Sequence, residues 1–552
     1  MEDKRFIPLL RNSIRNNWNL PALSDYNDEP FYYYKDVARE IVKLHMLFDA
    51  MNLQKGDRVA ICGRNSSHWA ITFFATMTYG AIPTSILHDF SGENIQNIVN
   101  HSEARILVAA EQVWTKVDPM MMPAVETILL MEDFSIQKAN SAELIQIRSE
   151  WKTILNEKYP QGLTADDVYF HEEKADDLVV LNYTSGTTST PKGVMLPSRS
   201  LWSNIQLTFD RMPFIKPGDS IVSMLPMAHM YGLTVEILMG FSMGCHVHFL
   251  PRIPSPQVIL EAFAKYNPIV AISVPLIIEK IVQSKVFPEL KKQPAKFLLS
   301  MSFTRKRVLK KIKEKLLPLF GTNLNQVIIG GAALNKEVGR FLTEIGFPYT
   351  VGYGMTECGP LITFISWEKF KPESCGQIVD RMEAKVDSPD PENVEGELIV
   401  RGDNTMLGYF KNQEQTDAIM TEDGWLHTGD LVTMDKDNFV FIKGRCKSVI
   451  LGPSGQNIYP EEIEDLLNNS PYVAEALIIE ENRKLIALIY PDKEYLEKQN
   501  TKEKNIHSVF ASEIKSVNKR LPDFSRIANF RLQKEEFEKT PKRSIKRFLY
   551  QR

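Results

Sequence analysis

The feature of this sequence that most constrains its fold is an alternation of helix-patterned and strand-patterned segments over its first third. Tyr34–Met51 carries apolar side chains at helical spacing, and Ser67–Tyr79 repeats the pattern. Short apolar segments, typical of buried strands, lie between and after these helices: Asp57–Cys62, Ala81–Ile86, Arg105–Val108 and Asp177–Asn182. Strands separated by helices indicate parallel βαβ units whose sheets are covered on both faces.

The pattern changes from Gly396 onward. Strand-like segments now alternate with Gly-containing turns, at Glu397–Arg401, Phe439–Lys443, Val449–Leu451, Ala474–Ile479 and Leu485–Tyr490. Between them, Pro460 followed by two glutamates predicts a helix start. Because 552 residues exceed what one core supports, we expect an α/β chain of two domains. We place a large N-terminal domain of several βαβ subdomains at 1–444 and a small α+β domain at 445–552, joined by Gly444–Ser448.

Charge and cysteine usage exclude several classes of protein. Lys and Arg number 65 against 69 Asp and Glu, so the net charge of −4 does not favour nucleic acid as a partner. Five scattered cysteines without CxxC spacing argue against a disulfide framework or a zinc site. We find no signal-peptide pattern and no apolar run long enough to span a bilayer. A cytoplasmic location is therefore expected, and peripheral contact with the inner face of the membrane stays open.

A loop after the predicted strand Asp177–Asn182 has the composition of a phosphate site. Five hydroxyl residues surround Gly186, and Lys192 follows closely; the hydroxyl residues are Thr184, Ser185, Thr187, Thr188 and Ser189. A polyphosphate requires several hydrogen-bond donors and a cation, and glycine lets the backbone approach it closely.

The order TSGTT…PKG in this loop resembles the phosphate-binding signature of adenylate-forming enzymes. That superfamily includes acyl-CoA synthetases, luciferases and peptide-synthetase adenylation domains, and the chain looks closest to bacterial long-chain fatty acid–CoA ligases. The family usually has glycine where this chain has Ser189. The resemblance implies that ATP phosphates bind at Thr184, Ser185, Gly186, Thr187 and Thr188, with Lys192 as a catalytic cation.

Further segments match the same family in its own order. Leu225–Gly232 resembles the segment that lines the acyl tunnel, and this implies that His229 gates the carboxylate pocket. Gly330–Leu334 and Val351–Cys358 resemble the walls of the adenylate site, so the resemblance gives roles to Gly331, Ala332, Tyr353, Gly354, Thr356 and Glu357. In it Tyr353 stacks on adenine, Thr356 donates to the α-phosphate, and Glu357 binds Mg²⁺.

The C-terminal part continues the resemblance. Asp430 in Gly424–Leu431 would accept from the ribose hydroxyls, and Arg445 would contact nucleotide. Gly455, Gln456 and Asn457 lie in a stretch that approaches CoA. The linker would act as a hinge at Ser448, where the family usually has Asp or Lys, making the small domain mobile.

One departure affects catalysis. The family's closing motif, T-P-x-x-K, is Thr540–Ser544 here, so Ser544 stands where the catalytic lysine is expected. Lys546 is the favoured substitute and Lys542 the alternative; a slow first half-reaction is also compatible with this change.

The resemblance implies a Mg²⁺-dependent ligase. A fatty, long-chain acid would react with ATP to give an acyl-adenylate and pyrophosphate, and CoA would then displace AMP. Alternatives are a ligase for an aryl or short-chain acid, transfer to a carrier protein, or a non-catalytic acyl- or nucleotide-binding relative. No carrier domain follows in the sequence, which favours CoA as the acceptor.

Overall fold

The computed structural model describes residues 3–27, 30–184, 191–250, 255–287, 290, 302–451, 457–499, 503–539 and 545–550. Contacts between Cα atoms divide the chain into two compact units. The first contains the described residues up to Thr184 together with those of Pro191–Glu383 and Val400–Leu426; the second contains those of Ala384–Ile399 and His427–Arg552. The prediction of an α/β chain with a large N-terminal and a small C-terminal part is confirmed. The boundary at residues 444/445 stays a prediction.

An eight-stranded sheet in the first unit contains all four predicted strands, within two residues of their predicted bounds. Its five strands from Leu178–Thr184 to Thr127–Leu130 are parallel, and the flanking pairings are antiparallel. In spatial order the strands are Gly408–Tyr409, Lys192–Pro197, Leu178–Thr184, Ile82–Ile86, Arg58–Cys62, Ala104–Ala109, Thr127–Leu130 and Ile136–Lys138.

The helix Ser67–Tyr79 has the predicted bounds and lies inside the first unit. The Ser66 side chain caps it by accepting from the Trp69 N–H at 3.2 Å, and Gly80 ends it with φ +93. Eleven of its 13 residues are buried, so it has no polar face, as expected of an interior helix. The helix Tyr34–Ala50 packs against it. Other helices of this region are Ile7–Asn16, Gly92–Ser102, Glu111–Trp114, Ala142–Lys158 and the 3-10 turns Pro119–Met121 and Ala165–Asp167.

A seven-stranded sheet forms the second large layer of the first unit. All its pairings are parallel except that of the edge strand Phe31–Tyr33. In spatial order its strands are Tyr349–Val351, Gln326–Ile329, Val270–Ser273, Ser220–Ser223, His246–Phe249, Pro21–Asp25 and Phe31–Tyr33. Its helices are Ser198–Arg211, Met230–Gly232, Met239–Ser242, Pro256–Tyr266, Pro275–Ile281, Ser302–Leu316 and Lys336–Glu344, with π-helical segments Leu233–Leu238 and Val282–Val286 and the 3-10 turn Leu317–Phe320.

Smaller elements complete the first unit. A ribbon joins Tyr353–Gly354 to Leu361–Thr363, and the short helix Gln413–Asp417 follows further along the chain. The 3-10 turns are Thr356–Cys358 and Trp367–Lys369.

The second unit contains most residues of a four-stranded sheet and all of a three-stranded sheet. The first has the order Met382–Asp387, Gly396–Gly402, Leu426–Met434 and Val440–Arg445; the second has the order Val473–Glu481, Lys484–Pro491 and Ile527–Leu532. A ribbon pairs Ile450–Leu451 with Asn457–Ile458, and the helices are Pro460–Asn468, Lys493–Lys498 and Glu503–Asn518, with 3-10 turns Asp523–Ser525 and Arg547–Leu549.

Both faces of the three-stranded sheet are covered. Ile478 packs on one face in a cluster with Phe510 of the helix Glu503–Asn518, while Leu477 packs on the other with Phe537. Successive side chains of a strand point to opposite faces, so covering both faces requires the continuous apolar run that the sequence shows.

The first two residues of the predicted linker lie in a strand. Gly444 and Arg445 belong to the strand Val440–Arg445, where they pair with Leu431 and Asp430. No helix within the described ranges is both long and apolar enough to cross a membrane.

Candidate functional site

The phosphate loop is bounded by an antiparallel strand pair. Thr184 ends one strand, Lys192 begins the next, and the two residues face each other across the ladder. The other predicted phosphate-binding residues lie outside the described ranges: Ser185, Gly186, Thr187 and Thr188. Close behind, the Asn182 side chain donates to the Ala228 carbonyl at 2.9 Å. This buried bond joins the strand before the loop to the segment that carries His229.

Two predicted catalytic residues meet at one tyrosine. The Lys192 ammonium lies 4.9 Å from the centre of the Tyr409 ring, a cation–π distance. The Tyr409 hydroxyl donates to Glu357 Oε1 at 2.7 Å. Burial, and then the neighbouring Glu357 carboxylate, raise the pKa of Tyr409 above its ordinary value, so the phenol stays a neutral donor. Lys192 and Glu357 are thus both oriented by Tyr409.

The turn that carries Glu357 is fixed from several directions. Thr356 and Glu357 lie in the 3-10 turn Thr356–Cys358, and Thr356 is buried. The Glu357 carbonyl accepts from the Met406 N–H at 2.8 Å, and the Cys358 carbonyl accepts from the Asn204 side chain at 3.1 Å. A Cβ atom on Gly354 would lie 2.0 Å from the Pro360 carbonyl oxygen, so the close approach of these strands requires glycine there.

The predicted adenine wall follows the carboxyl ends of neighbouring parallel strands. Gly331 and Ala332 are exposed after the strand Gln326–Ile329, and Gly331 has φ +87, which favours glycine. Tyr353 is half-buried after the adjacent strand, and its N–H donates to Thr363 Oγ1 at 3.1 Å. Loops at this end of parallel strands are where α/β folds bind ligands.

His229 directly precedes a helical segment with an irregular centre. The segment begins at Met230 and passes through the π-helical turns of Leu233–Leu238. Glu236 in these turns is fully buried and accepts from the Ser223 hydroxyl at 2.9 Å and from the Leu225 N–H at 3.1 Å. Burial raises the pKa of Glu236 to about 8.

In the second unit, the structure brings together two predicted nucleotide-binding residues. Asp430 and Arg445 are register partners on adjacent antiparallel strands, and Arg445 Nε lies 3.0 Å from Asp430 Oδ1. The Asp430 side chain is only 8% exposed, whereas that of Arg445 is 65% exposed. The pair therefore presents a guanidinium to solvent beside a sheltered carboxylate.

Glu397, which the sequence did not indicate, holds the turn before Asp430. Its carboxylate lies 2.8 Å from His427 Nδ1 and accepts from the Gly429 N–H at 2.9 Å. Gly429 has φ +72, a conformation that favours glycine.

Near the C-terminus, Lys546 Nζ lies 3.3 Å from Glu538 Oε2. The next residue, Arg547, donates to Glu464 and lies 3.5 Å from Glu461. Asn457 lies in a short strand, while Gly455, Gln456 and the segment Thr540–Ser544, including Lys542, lie outside the described ranges.

Two family models match this chain. A family model described as AMP-binding enzyme matches residues 10–410, and one described as AMP-binding enzyme C-terminal domain matches residues 447–551. The chain belongs to the AMP-binding enzyme family. The predicted membership of the adenylate-forming superfamily is thereby confirmed.

The names of proteins similar to this AMP-binding enzyme specify different acids. It is 28% identical to a 4-coumarate–CoA ligase of Oryza sativa subsp. japonica, over 78% of this chain and 72% of that ligase. It is 27% identical to a long-chain-fatty-acid–CoA ligase of Escherichia coli O157:H7, over 83% of this chain and 81% of that ligase. A solved anthranilate CoA ligase in complex with anthranoyl-AMP shares the fold, with a TM-score of 0.77, 18% identity, and 99% and 96% of the two chains covered.

Sequence reasoning missed Tyr409 and Glu397 in this AMP-binding enzyme. Tyr409 contacts Lys192 and Glu357 from a distant position in the sequence, and Glu397, on a neighbouring strand, accepts from the Gly429 N–H next to Asp430. Tyr409 is followed by Phe410 in a segment with no unusual composition, so only the strand pairing of Tyr409 with Val194 reveals its place beside Lys192.

Proposed function

We propose that this protein is an ATP-dependent acid–CoA ligase whose substrate is a fatty, long-chain carboxylic acid. The observation that carries the proposal is the Lys192–Tyr409–Glu357 cluster next to the phosphate loop. A cation and a carboxylate oriented by one side chain suit a reaction that needs alignment and charge neutralisation rather than a protein nucleophile.

The first half-reaction joins the acid to AMP. A carboxylate oxygen of the acid attacks the α-phosphorus of ATP, the bond from that phosphorus to the bridging oxygen breaks, and pyrophosphate leaves. Lys192 neutralises charge on the polyphosphate, Thr356 donates to the α-phosphate, and the hydroxyls from Thr184 onward hold the remaining oxygens. Tyr353 would stack on the adenine, and Gly331, Ala332 and Gly354 would line the nucleotide. Asp430 would accept from the ribose hydroxyls, and Arg445 would contact the nucleotide.

Glu357 would hold Mg²⁺ together with ATP. No group of three or more His, Cys, Asp or Glu side chains suited to a metal occurs within the described ranges. This fits a magnesium ion that takes one protein carboxylate and shares phosphate oxygens, the usual manner of Mg²⁺ with nucleotides. When bound, Mg²⁺ supplies positive charge to the phosphate oxygens.

In the second half-reaction the CoA thiol attacks the acyl carbon, loses its proton, and AMP leaves. Gly455, Gln456 and Asn457 would approach CoA, and His229 would gate the carboxylate pocket. The first half-reaction also needs a lysine at the position of Ser544, and Lys546 or Lys542 would take its place. A mobile small domain would present the lysine for the first half-reaction and the CoA-binding residues for the second.

A second candidate is an aryl-acid–CoA ligase. It is favoured by the similarity to 4-coumarate–CoA ligases, which matches that to the long-chain ligases in identity. The two candidates share every residue assigned above except the acid pocket.

A panel of acids tests the choice between them. Pyrophosphate release is measured with ATP, Mg²⁺ and CoA, for acids from acetate to palmitate and for 4-coumarate and anthranilate. The largest kcat/KM is expected for a long-chain acid, because each buried methylene adds binding energy. A larger value for an aryl acid would assign the second candidate, and no release with any acid would overturn both.

Variants at three positions test the residue roles. Glu357→Gln keeps the shape of the side chain but removes its charge, so adenylation should fall by at least tenfold while the protein stays folded. Lys546→Ala and Lys542→Ala, singly and together, should slow adenylation but spare thioester formation from preformed acyl-adenylate. Wild-type adenylation by the double variant would show that neither lysine substitutes.

A further inference from the structure

The most concentrated positive charge in the described chain lies on one helix, Ser302–Leu316, which we call the basic helix. Its fifteen residues include seven Lys or Arg and one acidic residue, Glu314, although the whole chain carries a net charge of −4. The seven are Arg305, Lys306, Arg307, Lys310, Lys311, Lys313 and Lys315. We propose that the basic helix binds the surface of a membrane that contains anionic lipid.

The cations are arranged on the outside of the protein. Leu309 and Leu316 are buried and anchor the inner side of the helix. Lys306, Lys310 and Lys311 are exposed, and their spacing places them on consecutive turns of the outer side. The helix therefore presents a row of positive charge to a surface while Leu309 and Leu316 stay buried.

Two ion pairs are described for the cations of this helix, one at Arg305 and one at Lys310. Arg305 is paired with Glu344 of the helix Lys336–Glu344. Lys310 lies 3.9 Å from Glu314, but both side chains are mostly exposed, at 78% and 60%, and pairs of this kind contribute little. The single carboxylate of Glu314 cannot neutralise the positive charge of the lysines on this helix.

A lipid surface fits this helix better than a nucleic acid does. Proteins that bind single strands add aromatic stacking platforms to positive charge, and residues 304–316 of this helix, which carry its cations, include no Phe, Tyr or Trp. Juxtaposed Lys and Arg on a helix are attracted to anionic headgroups within a Debye length. The choice of lipid also rests on the proposed function, because a long-chain acid dissolves in the bilayer and reaches the enzyme from there.

Vesicle binding tests the proposal. The full chain is sedimented with phosphatidylcholine vesicles, with or without about 30% phosphatidylglycerol, in the absence of ATP, CoA and acid. Binding is expected only to the anionic vesicles, and salt at about 0.5 M should abolish it, since the Debye length is then only about 4 Å. Equal binding to neutral vesicles, or none to anionic vesicles at low salt, would overturn the proposal.

Charge-matched variants locate the surface. Lys306→Glu, Lys310→Glu and Lys311→Glu together should reduce the bound fraction on the order of tenfold. The control changes three other exposed lysines, Lys55, Lys152 and Lys158, to Glu and should bind as the wild type does. A helix variant with Gln at the same three sites removes the positive charges without adding negative ones, so it should lose less binding. Tryptophan fluorescence shows whether each variant is folded. Equal losses in helix and control variants would overturn the assignment to this helix.

Two further outcomes are decisive. Tighter binding to DNA than to anionic vesicles, lost in the helix variant, would make the partner a nucleic acid and overturn the proposal. Vesicle binding is measured without substrates and is therefore independent of the activity panel. If no acid in that panel reacts but the vesicles still bind, the proposed function is wrong and the membrane-binding helix stands.

Discussion

At the scale of single residues, Tyr409 contacts both Lys192 and Glu357, which are proposed to act on ATP. Tyr409→Phe keeps the ring beside Lys192 and removes the hydroxyl that donates to Glu357. A hydrogen bond to a charged group contributes about 1.5–3 kcal/mol, so we expect a loss of roughly tenfold or more in adenylation. Tyr409→Leu also removes the cation–π contact and should lose more.

The magnesium dependence separates this role from a purely structural one. With Glu357 less well oriented, Tyr409→Phe should require more Mg²⁺ for half-maximal adenylation, and it should bind Mn²⁺ more weakly in the presence of ATP, as measured by paramagnetic resonance. A variant with unchanged metal affinity and unchanged rate would show that the hydroxyl has no part in the site.

Glu236 makes stability depend on pH. Burial raises the pKa of Glu236 to about 8, above the value of about 4.3 for an unfolded chain. Between these values the folded state keeps a proton that the unfolded state has released, so this residue lowers the stability as pH rises from about 4 to 8. Glu236→Gln cannot ionise, and its stability relative to the wild type should therefore improve across that range.

Denaturation by urea at pH 5.5, 7.0 and 8.5, followed by tryptophan fluorescence, measures this difference. All seven tryptophans lie at or before residue 425, so the signal reports the first unit. A constant difference between wild type and Glu236→Gln over this pH range would contradict the raised pKa.

At the scale of elements, one ion pair attaches the 3-10 turn Arg547–Leu549 to the helix Pro460–Asn468. Glu464 of that helix is buried and accepts from the Ile478 N–H at 2.7 Å and from Arg547. Arg547→Leu would leave this carboxylate without its cation, at a cost of about 3–5 kcal/mol. Adding Glu464→Gln should recover most of the loss, because no buried charge then remains.

Hydrogen exchange at the strands Val473–Glu481 and Lys484–Pro491 is the appropriate measurement. Exchange should become faster in Arg547→Leu and return toward the wild-type rate in the double variant, while the tryptophan transition of the first unit is unchanged. Unchanged exchange in the single variant would mean that the turn is held by its apolar contacts instead.

At the scale of the whole molecule, the proposed function calls for the small domain to turn between the two half-reactions. The Ser448 N–H donates to the Arg445 carbonyl at 3.0 Å, just after the strand that carries Arg445. Ser448→Pro removes this donor and fixes φ, so one half-reaction should be lost while the other persists. Ser448→Ala keeps the N–H and should retain both. Equal loss of both half-reactions in the folded proline variant would place the hinge elsewhere.

The sequence by itself determined several helices and strands of the first unit. Periodicity placed the helix Ser67–Tyr79 at its observed bounds and the strand Leu178–Thr184 within two residues, because these patterns are local consequences of burial. The motifs TSGTT and YGMTE and the residues around Asp430 also predicted the family, and the family model that matches residues 10–410 confirms this prediction.

Only the tertiary structure decided which side chains act together. Tyr409 meets Glu357 across 52 residues, and Asp430 faces Arg445 because of the register of two strands. The second of these strands also continues to Arg445, two residues beyond the predicted strand Phe439–Lys443. Strand order and register depend on how distant segments pack. A shift of one residue in the register of a strand would turn its side chains to the opposite face of the sheet, so no local sequence pattern contains this information.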